Sequence, residues 1–262
     1  RVVRVDLPDR EARLQILRIH ARNRPLAEDV DLEAIARETF GFSGAHLEAV
    51  VNEAAIAALR AGRDRIEAAD LREAVDKVML GERLDRRPTP EEMHRVAVHE
   101  AGHALVAEML RPGSVAQVTV TSRGQALGYV RQAEADDRYL YTARQLEDQI
   151  AVALGGAVAE DLELGGRSTG ATNDFEKAAD LARRMVYAGM SPLGVVSREH
   201  LPARLLHEAV AAILSAQESR VRELLGRQRE VLARAAAVLA DVERLSGDEL
   251  RAWLRGELAE SA

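Results

Sequence analysis

The chain has 262 residues, 47% hydrophobic and 30% charged, with a net charge of −7. That mix supports a buried core and argues against disorder; an acidic balance with no basic stripe argues against nucleic acid as a partner. There are no cysteines, which excludes disulfides and thiol catalysis and leaves histidine and carboxylate as metal ligands.

The length fits two modest domains, and plentiful Ala and Leu with only 3% aromatics predict a mainly α fold. Helices are expected near 8–23, 31–39, 43–61 and 67–80. Ser43 caps the third, whose apolar stripe runs through Leu47, Val50, Val51, Ala54 and Ala58. The charged stretch Gly81 to Pro88 reads as a solvated connector, so the domains are expected at 1–83 and 84–262.

The next helix opens on Thr89-Pro90-Glu91-Glu92, a capping box with proline at its first helical position. It should run to about Leu110, where Arg111-Pro112-Gly113 stops it. Within it, Val96 to Val106 is almost wholly apolar except for His99-Glu100-Ala101-Gly102-His103. Positions i and i+4 share one helical face, so His99 and His103 can take adjacent corners of a zinc tetrahedron. Glu100 can then face a water in the open corner and accept its proton. Three polar side chains in a buried helix cost several kcal/mol unless something satisfies them, and a metal with its water would do so.

Zinc needs a third protein ligand. The short metzincin extension would place Gly at 106 and His at 109; Val106 and Met109 exclude it. His94 is rotated away from His99 on the same helix, and His200 and His207 lie in or beside a polar segment. Glu160 and Asp174 remain.

Two strand signals follow, 115–121 and 127–131, with Gly124 between them, giving a small hairpin. A second capping box, Thr142-Ala143-Arg144-Gln145, opens a helix to about Leu164 that carries Glu160 and the pair Gly155-Gly156, which permits close approach of another backbone. A Gly-rich turn, 165–170, leads to a helix from about Asn173 to Ala188, with Asp174 in its first turn, where an acidic residue also suits the helix dipole. After Pro202 come long Ala/Leu-rich helices without a sustained a/d repeat, and Ser246-Gly247-Asp248-Glu249 caps a last helix ending near Trp253. On these residues alone, Glu160 and Asp174 stay open as the third ligand.

Four segments together carry a resemblance: His99 to Val106, Ser122 to Gly128, Gly155 to Glu160 and Ser168 to Asp174. In order and spacing they resemble the FtsH family of membrane-anchored, ATP-dependent zinc metalloproteases. The resemblance implies that Asp174 is the third zinc ligand and that Glu160 orients a ligand. Leu7 to Leu17 and Gly41 to Ala55 resemble the helical lid that follows an AAA+ ATPase core, with His46 where the family usually has an acidic residue. No G-x-x-x-x-G-K-[ST] phosphate loop occurs, so the nucleotide-binding core is missing and ATP is expected only in a longer parent protein. The segment after Gly194 reaches the C-terminal helices sooner than is typical.

The expectation is a helical AAA+ lid followed by a helical zinc-peptidase domain with a small hairpin. It would bind one Zn2+ through His99, His103 and Asp174, use Glu100 as general base, and cut unfolded or unfoldase-delivered polypeptides. The resemblance further implies a hexameric ring on the cytoplasmic face of the bacterial inner membrane, anchored by upstream segments. No run here approaches the roughly 18 apolar residues of a membrane-spanning helix, and no signal peptide is visible. The competing readings are an inactive, ring-forming assembly module of the same fold and a non-proteolytic zinc hydrolase. An inactive relative commonly loses Glu100 or a ligand, and this chain keeps all four residues.

Overall fold

The computed structural model describes residues 6–82, 88–121, 127–132 and 140–256, which fall into two compact units. The expected turn at Gly124, segment 122–126 of the family pattern and most of the charged connector lie outside the described residues.

The first unit holds four helices: α1 (Arg10–Ala21), α2 (Leu32–Glu38), α3 (Gly44–Arg60) and α4 (Ala68–Leu80). Each begins and ends within about two residues of its expected bounds. Their apolar stripes close one core, in which Leu17, Leu47, Val50 and Val75 are fully buried. Arg13 lies inside it, donating from Nε and Nη2 to the Ala36 carbonyl at 3.0 and 2.8 Å and so pinning α1 to α2. His46 takes over the capping role of an acidic residue. The Ser43 amide donates to its Nδ1 at 3.2 Å, while the His46 amide donates to Ser43 Oγ at 3.4 Å. That geometry requires the tautomer with its proton on Nε2.

In the second unit, α5 (Pro90–Leu110) is the central helix, with α6 (Ala143–Leu164), α7 (Thr172–Tyr187), α8 (Ala203–Arg227), α9 (Arg229–Val242) and α10 (Gly247–Leu254) around it. Capping boxes start α5, α6 and α10 at Thr89, Thr142 and Ser246, as the local sequence requires. From Ala97 to Glu108 every residue of α5 is buried, so it is a core helix and not an amphipathic surface one. Helices α5 and α6 touch backbone to backbone at Gly102 and Gly155. A Cβ on Gly102 would lie 2.5 Å from the Gly155 carbonyl oxygen, and one on Gly155 would lie 2.8 Å from that of Gly102. This close crossing brings the motif face of α5 against α6. Leu146, Ile150 and Leu154 of α6 in turn pack on Ala178, Ala182 and Met185 of α7, which holds α7 beside the same face.

The two expected strands are neighbours in one sheet, and a third strand that the sequence did not announce extends it. Strands β1 (Val115–Thr119) and β2 (Tyr129–Gln132) are joined by β3 (Arg244–Ser246), in the order β2-β1-β3. β1 and β3 run antiparallel, pairing Gln117 with Ser246 and Thr119 with Arg244. Three residues straight after a helix carry no alternation to read. What makes them a strand is the facing edge of β1, more than a hundred residues earlier. β2 lies at the edge of the described sheet.

Glu108, at the end of α5, ties this sheet to the helices. Its side chain is buried and accepts from the amides of Gly113 and Val115, each at 2.8 Å, and from Arg251 Nη1 of α10 at 2.7 Å. Glu108→Ala should therefore destabilise the second unit by about 2–4 kcal/mol, because it leaves the Gly113 and Val115 amides without their acceptor, while Arg251 keeps Asp248 and the Val115 carbonyl. Denaturant unfolding checks this; a loss below about 1 kcal/mol would mean that water replaces the clamp.

Candidate metal centre

His99 and His103 project from one face of α5, their ring centroids 4.6 Å apart and nearly perpendicular at 79°. The Nδ1 atom of each ring already has a partner. His103 Nδ1 lies 2.7 Å from the Val152 carbonyl oxygen of α6, which can only accept, so His103 donates there. His99 Nδ1 lies 2.7 Å from Glu160 Oε1 and donates likewise. Both rings therefore present an Nε2 lone pair to the same space, the two nitrogens 3.0 Å apart. Asp174 Oδ2, from the first turn of α7, lies 3.2 Å from His99 Nε2 and 3.3 Å from His103 Nε2.

Three acceptor atoms thus meet at 3.0–3.3 Å. A tetrahedral ion with bonds of 2.0–2.1 Å spaces its ligands about 3.3 Å apart, so the spacing fits zinc. Among the described residues, His99, His103 and Asp174 form a group of three whose ligand atoms all lie within 4.8 Å of one another. Space for an ion is kept open by Gly156: a Cβ there would lie 2.6 Å from both Nε2 atoms and from His99 Cε1. The residues present fit a small, borderline-soft cation bound by two imidazoles and one carboxylate.

Without a cation, the cluster favours a proton on His99 and a charged Asp174. Burial alone would lower the His99 imidazole, but hydrogen bonds to Asp174 and Glu160 raise it to about 10. Asp174 is buried enough to be raised, yet the hydrogen bonds to His103 and His99 hold its carboxyl far below the usual range. A proton bound here does the electrostatic work that a metal would take over, since metal and proton compete for the same lone pairs. Glu100 is buried as well, and burial pushes its carboxyl up against the opposing pull of His103 and His99. The backbone just before β2 lies over it, since a Cβ on Gly128 would be 2.7 Å from Glu100 Cγ.

Glu160 is fully buried on α6. It stands behind His99 at Nδ1, while Asp174 stands in front at Nε2. Burial would raise its carboxyl, but hydrogen bonds from His99, Arg95 and Ser168 lower it. His94, His200 and His207 do not join the cluster. His200 meets the Ser197 hydroxyl at 3.2 Å, and His207 lines a small surface cavity with Arg183 and Val210. Sequence reasoning missed Arg95 and Ser168 as partners of Glu160. Arg95 stands one turn before His99, a spacing that was visible; nothing local marked Ser168.

Comparison with known proteins matches residues 86–253 to peptidase family M41 and residues 29–73 to the AAA+ lid domain. The chain is 42% identical to the ATP-dependent zinc metalloprotease FtsH of Methylococcus capsulatus, over 97% of this chain and 44% of that protein. The protein of the same name from Thermus thermophilus is 41% identical over 98% of this chain and 44% of its own length. That of Acidothermus cellulolyticus is 44% identical over 94% and 40%. The chain thus spans less than half the length of these relatives. With its family model matched over 86–253, the buried histidine pair on α5 and this identity across nearly the whole sequence, the chain belongs to peptidase family M41.

Proposed function

We propose that the second unit is a zinc endopeptidase acting on unfolded polypeptide, with His99, His103 and Asp174 as the ligands of one Zn2+ and Glu100 as general base. The observation that carries this reading is the convergence of two Nε2 lone pairs and a carboxylate oxygen in a space that Gly156 leaves open. When bound, zinc supplies Lewis acidity that lowers the pKa of water and polarises the scissile carbonyl.

The chain's own residues do the rest. The Glu160 carboxylate and the Val152 carbonyl hold the two imidazoles in the tautomer that leaves Nε2 free. A Glu100 carboxylate oxygen takes a proton from the attacking water as its oxygen joins the carbonyl carbon. The same oxygen returns that proton to the amide nitrogen as the C–N bond breaks. The segment Leu127 to Arg131, which includes most of β2 at the edge of the described sheet, offers backbone groups to an extended substrate whatever its side chains, as an enzyme that degrades many sequences requires.

The relatives' names give ATP dependence and zinc proteolysis, and the wider setting is our reading of the family resemblance. We assign residues 1–83 to an AAA+ lid and 84–262 to the peptidase domain, in a longer protein that assembles as a hexameric ring. There an ATPase core delivers substrate, and upstream segments anchor the ring on the cytoplasmic face of the bacterial inner membrane. No described helix is long and apolar enough to cross a membrane.

The test offers the purified, zinc-loaded chain a permanently unfolded protein and a stably folded one, each with and without ATP. Slow cleavage of the unfolded protein alone, indifferent to ATP, is expected. A folded substrate must open locally before it can reach a recessed site, at up to its full stability of several kcal/mol. ATP-stimulated degradation would contradict the missing core. Inertness towards unfolded protein, with zinc bound, would favour an inactive assembly module, or a need for ring assembly that this chain alone does not achieve.

A further inference from the structure

We propose that Arg95 is a positioning residue of the metal centre, fixing His99 through Glu160 and placing the turn that carries Asp174. The proposal rests on the ligand assignment above. Glu160 is a carboxylate with no exposure, and both its oxygens are occupied. Oε1 accepts from His99 Nδ1 at 2.7 Å and from the Ser168 hydroxyl at 3.1 Å. Oε2 accepts from Arg95 Nη1 at 2.9 Å. A carboxylate can rotate about its last bond, and then His99 would lose the acceptor that sets its tautomer and ring angle. Arg95 blocks that rotation from the far oxygen.

The same Nη1 also donates to the Gly166 carbonyl at 2.8 Å. Gly166 follows Gly165, the left-handed cap that ends α6, and the short 3-10 turn Thr169–Ala171 then leads straight into α7. One guanidinium nitrogen thus joins three things: α5 one turn before His99, the Glu160 carboxylate, and the backbone that feeds Asp174 into the site. On the same helix face, Arg95 and His99 are i and i+4. An ordinary surface ion pair holds two mobile side chains; this one holds a buried acceptor and a backbone carbonyl.

Arg229 supplies the comparison. It binds the same end of α6, donating to Glu163 at 2.9 Å and to the Leu162 carbonyl at 2.7 Å, but away from the cluster. The experiment measures zinc dissociation constants by chelator competition for the wild-type chain and for Arg95→Met, Arg95→Lys, Glu160→Gln, the Arg95→Met/Glu160→Gln double variant and Arg229→Met. Arg95→Met should weaken zinc about 10–100-fold, as loss of a group that orients a ligand does. Arg95→Lys should recover most of the loss. The double variant should lose clearly less than the product of the single losses, because the two residues act in series. Arg229→Met should leave zinc binding within about twofold.

The proposal fails if Arg95→Met binds zinc as tightly as wild type, if the two single losses multiply in full, or if Arg229→Met matches the loss at Arg95. Asp174→Asn separates this from failure of the ligand assignment. Zinc binding lost at Asp174 and unchanged at Arg95 overturns only the role of Arg95. Binding unchanged at Asp174 and at His103→Ala overturns the ligand set and the proposal with it.

Discussion

Glu100→Gln should keep its zinc and its fold and lose peptide cleavage by about 10²–10⁴-fold, the range a positioned general base contributes. The amide is nearly isosteric with the carboxylate, so the contact with Gly128 and the packing of α5 are preserved. It cannot accept a proton from water and return it to the leaving amine. No backbone or side-chain partner of the two imidazoles changes, because their Nδ1 atoms bind Val152 and Glu160. Metal content and single-turnover cleavage of an unfolded peptide check the two halves of this expectation together. A metal-replete variant with near-normal turnover would assign the proton transfer elsewhere.

The second large effect concerns the ion itself. His99→Ala and His103→Ala should each abolish stoichiometric zinc and lower stability, because binding energy at such a site is in part folding energy. With zinc present at about 100 times its dissociation constant, a bound ion adds about 2.7 kcal/mol to the native state. For a domain of this size that corresponds to a melting shift of roughly 5–10 °C, which the variants should no longer show on adding zinc. Gly156→Val sharpens the test. It leaves both histidines and Asp174 intact but puts its Cβ 2.6 Å from both Nε2 atoms. It too should lose the zinc-dependent shift. Full zinc occupancy in both alanine variants would remove the ligand assignment, and a wild-type response in Gly156→Val would move the ion away from α6.

Much of the fold was written locally. The capping boxes at Thr89, Thr142 and Ser246 mark helix starts that the structure reproduces, and the apolar stripe of α3 is the buried face of the first core. Capping and periodicity involve residues three or four apart, so a short window contains the whole interaction. The pairing of His99 with His103 was legible for the same reason. His46 shows a limit of pattern matching: the unusual residue performs the capping that the pattern assigns to an acid, because a neutral imidazole nitrogen accepts as a carboxylate oxygen does.

By itself, then, the sequence determined the helices, the first two ligand candidates and the candidate base, all properties of one helix and its neighbours. Its residues could not choose between Glu160 and Asp174; only the family resemblance did. The two carboxylates lie 61 and 75 residues from His99 and end on opposite nitrogens of the same ring. Tertiary structure decided which of them faces Nε2, through the backbone contact of Gly102 with Gly155 and the packing of α7 on α6. It also made a strand of Arg244–Ser246 and gave Arg95 its two acceptors. Each of these depends on contacts between segments far apart in the chain, whose geometry is fixed only once the core has closed and burial has made every unpaired polar atom costly.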